Sequence, residues 1–184
     1  WNGLNGRADF RLPERVTANR FNQHFALKPW KQGGECFIIA GQVRGDASLQ
    51  GRDLTAWYEE MAATLERLHG LPVLFKQHPV SKGRPHKCFT PRLREFEGGM
   101  ADACKVARCI VTWNSNAAVD AVVSGCPAMA FDAGSMAWRV SSHDPAQIIT
   151  PQREEWAARL AWCQWTAEEV AAGAFWPRLL AAAD

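Results

Sequence analysis

The stretch VTWNSNAAVDAVVSGCP, residues 111–127, decides the fold. An apolar run, Cys109 to Trp113, leads into the polar break Asn114-Ser115-Asn116. A small-residue helical segment follows, then Gly125, and then a second apolar run from Ala128 to Phe131. The order reads as strand, tight turn, helix, turn, strand. The polar break falls where the carboxyl end of a strand meets the amino end of a helix. Free backbone N–H groups and the helix dipole favour an anion such as a phosphate at that point. Ser and Asn are also ordinary N-caps, so the same residues suit a capped helix with no ligand.

Upstream, Cys36 to Ala40 (CFIIA) is a short continuous apolar run closed by Gly41, the pattern of a buried parallel strand. Asp53 is placed to cap a helix over Leu54–His69, with Leu54, Trp57, Met61, Leu65 and Leu68 on its apolar stripe and Gly70 as its stop. Leu71 to Lys76 (LPVLFK) reads as the next strand and runs into Gln77-His78-Pro79. A basic, Pro-containing loop spans Val80 to about Arg94, and a short helix spans Met100 to Ala107. Strands alternating with helices predict an α/β fold: a Rossmann-like, three-layer parallel sheet with right-handed crossovers.

Downstream, DAGSMAWRVSSHDP is loop-like, Pro151 opens a helix, and Thr166 caps a second helix over Ala167–Ala172. Four of the nine tryptophans, Trp156, Trp162, Trp165 and Trp176, fall in this tail, which predicts Trp-rich C-terminal helices attached by aromatic faces. The divisions expected are residues 1–34 as an extension or the remnant of a missing N-terminal domain, 35–150 as the α/β domain, and 151–184 as C-terminal helices. Starting with Trp1, the chain reads as an excerpt of a longer one.

Composition narrows the classes. The 184 residues are 47% hydrophobic and 22% charged, as in a soluble globular domain. A net charge of +2 makes no electrostatic case for an obligatory nucleic-acid partner. No apolar run reaches the ~20 residues of a membrane span. A basic-then-apolar leader is also missing, so the expected location is cytoplasmic. Six cysteines without a CxxC pair point to reduced, buried thiols and give no zinc spacing. No cofactor and no metal is expected.

In open parallel sheets, ligands bind outside the carboxyl ends of the strands. Four polar clusters lie at those ends: Gly41-Gln42 with Asp46 nearby; Gln77-His78-Pro79; Asn114-Ser115-Asn116; and Asp132 with Gly134-Ser135. His78 offers an imidazole donor for a phosphate or a base carbonyl, stiffened by Pro79. Asp120 stands at i+4 from Asn116, where a carboxylate suits ribose hydroxyls. Asp46, in a loop with Gly45, is the candidate base or nucleophile, and equally an Asx-turn residue. Lys82, Arg84, His86 and Lys87 form a basic cluster suited to an acidic substrate or simply to solvent.

Three blocks, GQVRGDAS, QHP and TWNSNAAVDAVVSGCPAMAFD, resemble the nucleotide-sugar-binding C-terminal half of GT-B glycosyltransferases. The nearest resemblance is to capsule-polysaccharide proteins of the β-Kdo transferase type and to phage-encoded glycosyltransferase-like proteins. The likeness spans about Glu35 to Trp176. It implies a metal-independent glycosyltransferase taking a nucleotide-sugar donor, CMP- or UDP-type, to a glycan acceptor, in a bacterial or phage-infected cell. His78 and Pro79 match the HP motif that contacts the donor nucleotide. Asn114, Ser115 and Asn116 match the turn that holds its phosphate. Asp120 matches the ribose-gripping acid, and Asp46 an acidic position near the reacting sugar. Gly41, Gln42, Asp132 and Ser135 complete the expected donor set. Two other expectations stand beside this one: a phage enzyme glycosylating modified bases in DNA, and a non-catalytic nucleotide-binding or interaction module.

Overall fold

The computed structural model of the protein describes residues 18–81 and 93–177. Its elements run α1 (Asn19–His24), β1 (Cys36–Ala40), α2 (Thr55–His69), β2 (Val73–Lys76), β3 (Arg94–Glu95), α3 (Met100–Val106), β4 (Ala107–Thr112), α4 (Ala117–Val123), β5 (Ala128–Ala130), α5 (Glu154–Trp162) and α6 (Ala167–Ala171). All five residues of β1 are buried, because an apolar run with no polar alternation has to be covered on both faces. The sheet order is β3-β2-β1-β4-β5 and every neighbouring pair is parallel. The chain moves outward from β1 through β2 to β3, then returns to the other side of β1 for β4 and β5. The direction of winding therefore reverses between β1 and β4. The fold is the expected Rossmann-like α/β sheet.

Alternate residues of the strands divide the core. Ile38, Ala40, Ile110 and Ala128 pack with Ala118, Ala121 and Val122 of α4 and with Trp156 and Leu160 of α5. On the opposite face Phe37, Ile39, Phe75 and Val111 meet Tyr58, Met61 and Leu65 of α2. The buried stripe of α2 runs Leu54, Tyr58, Met61, Leu65, so Tyr58 is inside and Leu68, 41% exposed, is not. The helix begins one residue later than expected. Asp53 still serves its start: its Oδ1 accepts from the Thr55 N–H at 2.9 Å and the Thr55 hydroxyl at 2.7 Å. Gly70 ends it in the left-handed region at φ 65°.

Two expectations are corrected. β3 forms where a loop was read, pairing Leu74 with Arg94 and Phe75 with Glu95 at the sheet edge. Pro151 does not open α5, which starts at Glu154. Pro151 to Arg153 is instead a lead-in held by the N-terminal segment. The Trp30 Nε1–H donates to the Pro151 carbonyl at 3.0 Å, and the Arg153 guanidinium lies 3.6 Å from the centroid of the Trp30 ring. The same guanidinium donates to the carbonyls of Val122 and Lys28. Lys28 N–H reaches Val123 O and Lys31 N–H reaches Gly125 O, so residues 28–31 close the carboxyl end of α4. Gly125, at φ 80°, has no room for a Cβ against the Pro29 carbonyl.

The C-terminal helices dock through an arginine. Arg20 of α1 donates Nε–H to Ala161 O at 2.7 Å and Nη2–H to Gln164 O at 2.6 Å, and both terminal nitrogens reach the Glu169 carboxylate. Its guanidinium lies 4.1 Å from the Trp165 ring centroid. Arg20 holds the Glu169 carboxyl down at about 2. Trp162 and Trp165 are half-buried around this ion pair. Thr166 caps α6 as expected, and the structure adds a reciprocal bond from the Thr166 N–H to the Glu169 carboxylate that completes a capping box.

Gly41, at the end of β1, is required by packing. A Cβ there would lie 2.5 Å from Phe75 Cζ, and Phe75 is fully buried with its ring 5.0 Å from that of Tyr58. Gly41→Ala is expected to cost about 1–3 kcal/mol of stability through overpacking. Urea unfolding measures it, and an unchanged midpoint would refute the packing role.

The described cysteines Cys36, Cys104, Cys109 and Cys126 are buried free thiols, and Cys163 is half-buried. Among the described residues no helix is long and apolar enough to cross a membrane.

Candidate functional site

The reversal of winding falls between the carboxyl ends of β1 and β4, the place where open α/β sheets bind ligands. Gln42 and Asn114 follow those two strands, and both are buried. They face each other as a reciprocal amide pair. Gln42 Nε2–H donates to Asn114 Oδ1 at 2.6 Å, and the Asn114 backbone N–H donates to Gln42 Oε1 at 3.1 Å. Asn114 Nδ2–H reaches on to Ser48 O at 3.1 Å, and the Gln42 backbone N–H donates to the Tyr58 hydroxyl at 3.0 Å. Both side chains are thus spent on the protein itself. Their work is to lock the two strand ends and the Asp46 loop into one piece.

Asp46 caps a short 3-10 turn over Ala47–Leu49, its Oδ1 accepting from the Ser48 N–H at 2.8 Å. The Asx-turn reading of the sequence is therefore present, and the carboxylate is at the same time exposed at the rim. Bonds from the Ser48 hydroxyl and N–H hold its pKa below the usual aspartate value, with a smaller contribution from the His78 charge. His78, just beyond β2, is half-buried and near enough to act on Asp46. Its Nδ1 accepts from the Val80 N–H at 3.2 Å, which assigns the ring proton of the neutral imidazole to Nε2. Pro79 starts a 3-10 turn just after it and is exposed.

At the amino end of α4, Ser115 Oγ accepts from the Ala117 N–H at 3.3 Å, which leaves its own hydroxyl hydrogen to donate elsewhere. Asn116 is exposed and makes no side-chain cap. Asp120 lines a different surface, a cleft of about 700 Å3 whose walls include Phe21, Phe25, Met100, Cys104 and Trp165. Desolvation by these apolar walls raises the Asp120 pKa. Beyond β5, Asp132 Oδ1 accepts from the Gly134 N–H at 2.7 Å, and the buried Ser135 Oγ accepts from the Ala137 N–H at 3.3 Å. These two residues shape the turn that leaves β5.

Asp46 and His78 thus act on each other beside the scaffold of Gln42 and Asn114, Ser115 follows Asn114 at the amino end of α4, and Asp120 stands one helical turn on, in the cleft that α3 and α4 line. The basic cluster Lys82, Arg84, His86 and Lys87 lies outside the described residues. Two features escaped the sequence reading. One is the aromatic set Trp57, Trp113 and Phe131 beside the rim, with ring centroids 5.4 and 5.6 Å from Trp57. The other is Lys76, nearly buried at the end of β2, whose Nζ donates to Gly98 O at 2.6 Å ahead of α3. Trp113 and Phe131 had a legible signal, each being the last apolar residue before a polar strand end. Lys76 had none, since its contact is tertiary.

No family model matches the sequence, and no curated protein matches it. Among solved structures, the beta Kdo 2,4 transferase KpsC of Thermosulfurimonas dismutans aligns with a TM-score of 0.51 at 18% identity, over 77% of this chain and 52% of that one. The beta Kdo 2,7 transferase KpsC of the same organism aligns with a TM-score of 0.48 at 15% identity, over 77% and 50%. The chain spans about half the length of these structures. What it shares with the first of them is the fold.

Proposed function

We propose that the protein is the donor-binding half of a GT-B-type glycosyltransferase and binds a CMP- or UDP-activated sugar. The observation that carries this reading is the electrostatic contact of Asp46 with His78 beside the reversal point of the sheet, where the Gln42–Asn114 pair, with its bond on to Ser48, fixes the Asp46 loop to the strand ends. Ser115 follows Asn114 directly in the sequence. The three sequence blocks that resemble such enzymes contribute these residues. The fold shared with a Kdo transferase agrees with the reading without carrying it.

In the proposed reaction the bond between the sugar carbon and the phosphate oxygen breaks. Charge collects on the departing phosphate, and the His78 Nε2–H and Ser115 O–H stabilise it. The acceptor hydroxyl forms the new bond and loses its proton. Asp46 takes that proton, or attacks the sugar carbon first as a nucleophile. Because its folded pKa is lowered, Asp46 stays ionised as pH falls below the usual aspartate range, so the acid limb of activity lies below that range. The acceptor, a glycan on this reading, approaches from a second domain beyond this chain.

Thermal unfolding of the chain with CMP and with UDP tests the reading. One of the two nucleotides is expected to raise Tm. Ser115→Ala or His78→Ala is expected to weaken that binding about tenfold, the worth of one hydrogen bond to a charged group. No shift with either nucleotide would overturn the proposal.

A further inference from the structure

The cleft of about 700 Å3 that holds Asp120 is lined by helices and their ends, not by strand ends. Phe21 and Phe25 wall it at α1, Met100 at α3, Val119 at α4 and Leu160 at α5, with Trp165 beyond. A concavity of that size with mostly apolar walls and a few polar groups suits a small organic ligand. Arg20, His24 and Asp120 are the charged or basic side chains described along its lining.

Two of the three are already engaged. Arg20 gives its N–H groups to Ala161 O, Gln164 O and the Glu169 carboxylate. The charge of His24 acts on Glu169 as well. Nothing comparable meets Asp120. Among the described residues its carboxylate has no hydrogen-bond or ion-pair partner, and no cation acts on it. The Arg20–Glu169 pair is neutral as a unit, so the uncompensated charge of the cleft is the negative one of Asp120. A carboxylate in the first turn of α4 suits the helix dipole. The apolar walls work against the same charge by desolvating it, although the side chain can still be reached from solvent. A cation brought into the cleft would offset that penalty.

We propose that this cleft is a ligand site for an ammonium group carried on an apolar body, with Asp120 as its counter-ion. The walls cover the apolar body, and the carboxylate accepts the ammonium N–H groups. An anion is repelled here, which sets the cleft apart from the rim. The site stands independently of the glycosyl-transfer reading, since none of its lining comes from the Asp46 loop or His78.

Saturation-transfer NMR on the full chain, with phenethylamine, phenethyl alcohol and hydrocinnamate as probes, tests it. The three share a phenyl ring and differ in charge. Phenethylamine is expected to bind about tenfold more tightly than the alcohol, the worth of one charge-assisted hydrogen bond, and hydrocinnamate more weakly than the alcohol. Asp120→Asn keeps the shape and removes the charge, and is expected to abolish the preference. Asp120→Glu is expected to restore it in part. If Asp120 serves only the dipole of α4, Asp120→Asn lowers Tm and leaves the preference intact, which overturns the proposal. Equal binding of amine and alcohol, or binding of neither, overturns it too. Phenethylamine is expected to bind equally well with CMP or UDP present. Displacement by either nucleotide would place the amine at the rim and overturn a separate site.

Discussion

Asn114→Ala is expected to lower the unfolding free energy by about 3 kcal/mol, a cost combining lost hydrogen bonds with a buried amide left unsatisfied. The substitution removes the acceptor of Gln42 Nε2 and the donor to Ser48 O at once. Gln42 is buried, 7% exposed, so its amide finds little solvent in compensation. Gln42→Ala alone should cost less, because it leaves the Asn114 bond to Ser48. The double variant should cost clearly less than the sum, with a coupling of about 1 kcal/mol or more, as for groups in direct contact. Urea unfolding of the four proteins gives that coupling. Additive costs would show that the two amides act independently. Nucleotide binding should fall in Asn114→Ala as well, although Asn114 offers no free side-chain atom to a ligand, because the Asp46 loop loses its anchor at Ser48.

The second large effect belongs to Arg153, only 4% exposed. Its guanidinium joins the end of α4 to residue 28 of the N-terminal segment and is covered by Trp30. Desolvation pulls its pKa down from the usual arginine value against the opposing Glu154 charge, and the Val122 and Lys28 carbonyls satisfy the buried guanidinium. Arg153→Ala is expected to cost about 3–4 kcal/mol, from two charge-assisted hydrogen bonds together with the ring contact. Arg153→Met, which keeps apolar volume, separates the two contributions: most of the loss should persist. Calorimetric unfolding of both variants measures this, and full recovery in Arg153→Met would assign the effect to packing alone.

The parallel sheet was legible because β1 and β4 are continuous apolar runs and α2 has a strong period. β3 was not, since Arg94 and Glu95 carry no apolar signal and form a strand only by pairing with Leu74 and Phe75. Tyr58 was passed over for Leu68 because hydrophobicity alone ranks leucine higher. Inside the fold the Tyr58 hydroxyl receives the Gln42 N–H, which makes a phenol a better occupant than an alkyl chain. At the rim, residue types drew attention to Gln42 and Asn114 but could not say which way their amides turn. Pairing between residues 72 positions apart is a property of the assembled sheet. Gly41 shows the same limit. It stood in the expected donor set, and in the structure the space beside its Cα is filled by Phe75.

The ties at the two ends of the described chain have a kinetic consequence. Arg20 fastens α1 to the carbonyls of Ala161 in the last turn of α5 and Gln164 just beyond it and to Glu169, while Arg153, just before α5, fastens back to Lys28. The early segment and the late helices thus form one exchange unit, and neither can fray without releasing the other. Amide hydrogens in α1, a six-residue helix too short to persist alone, would then exchange with solvent at the pace of α5 rather than at the pace of a loose terminus.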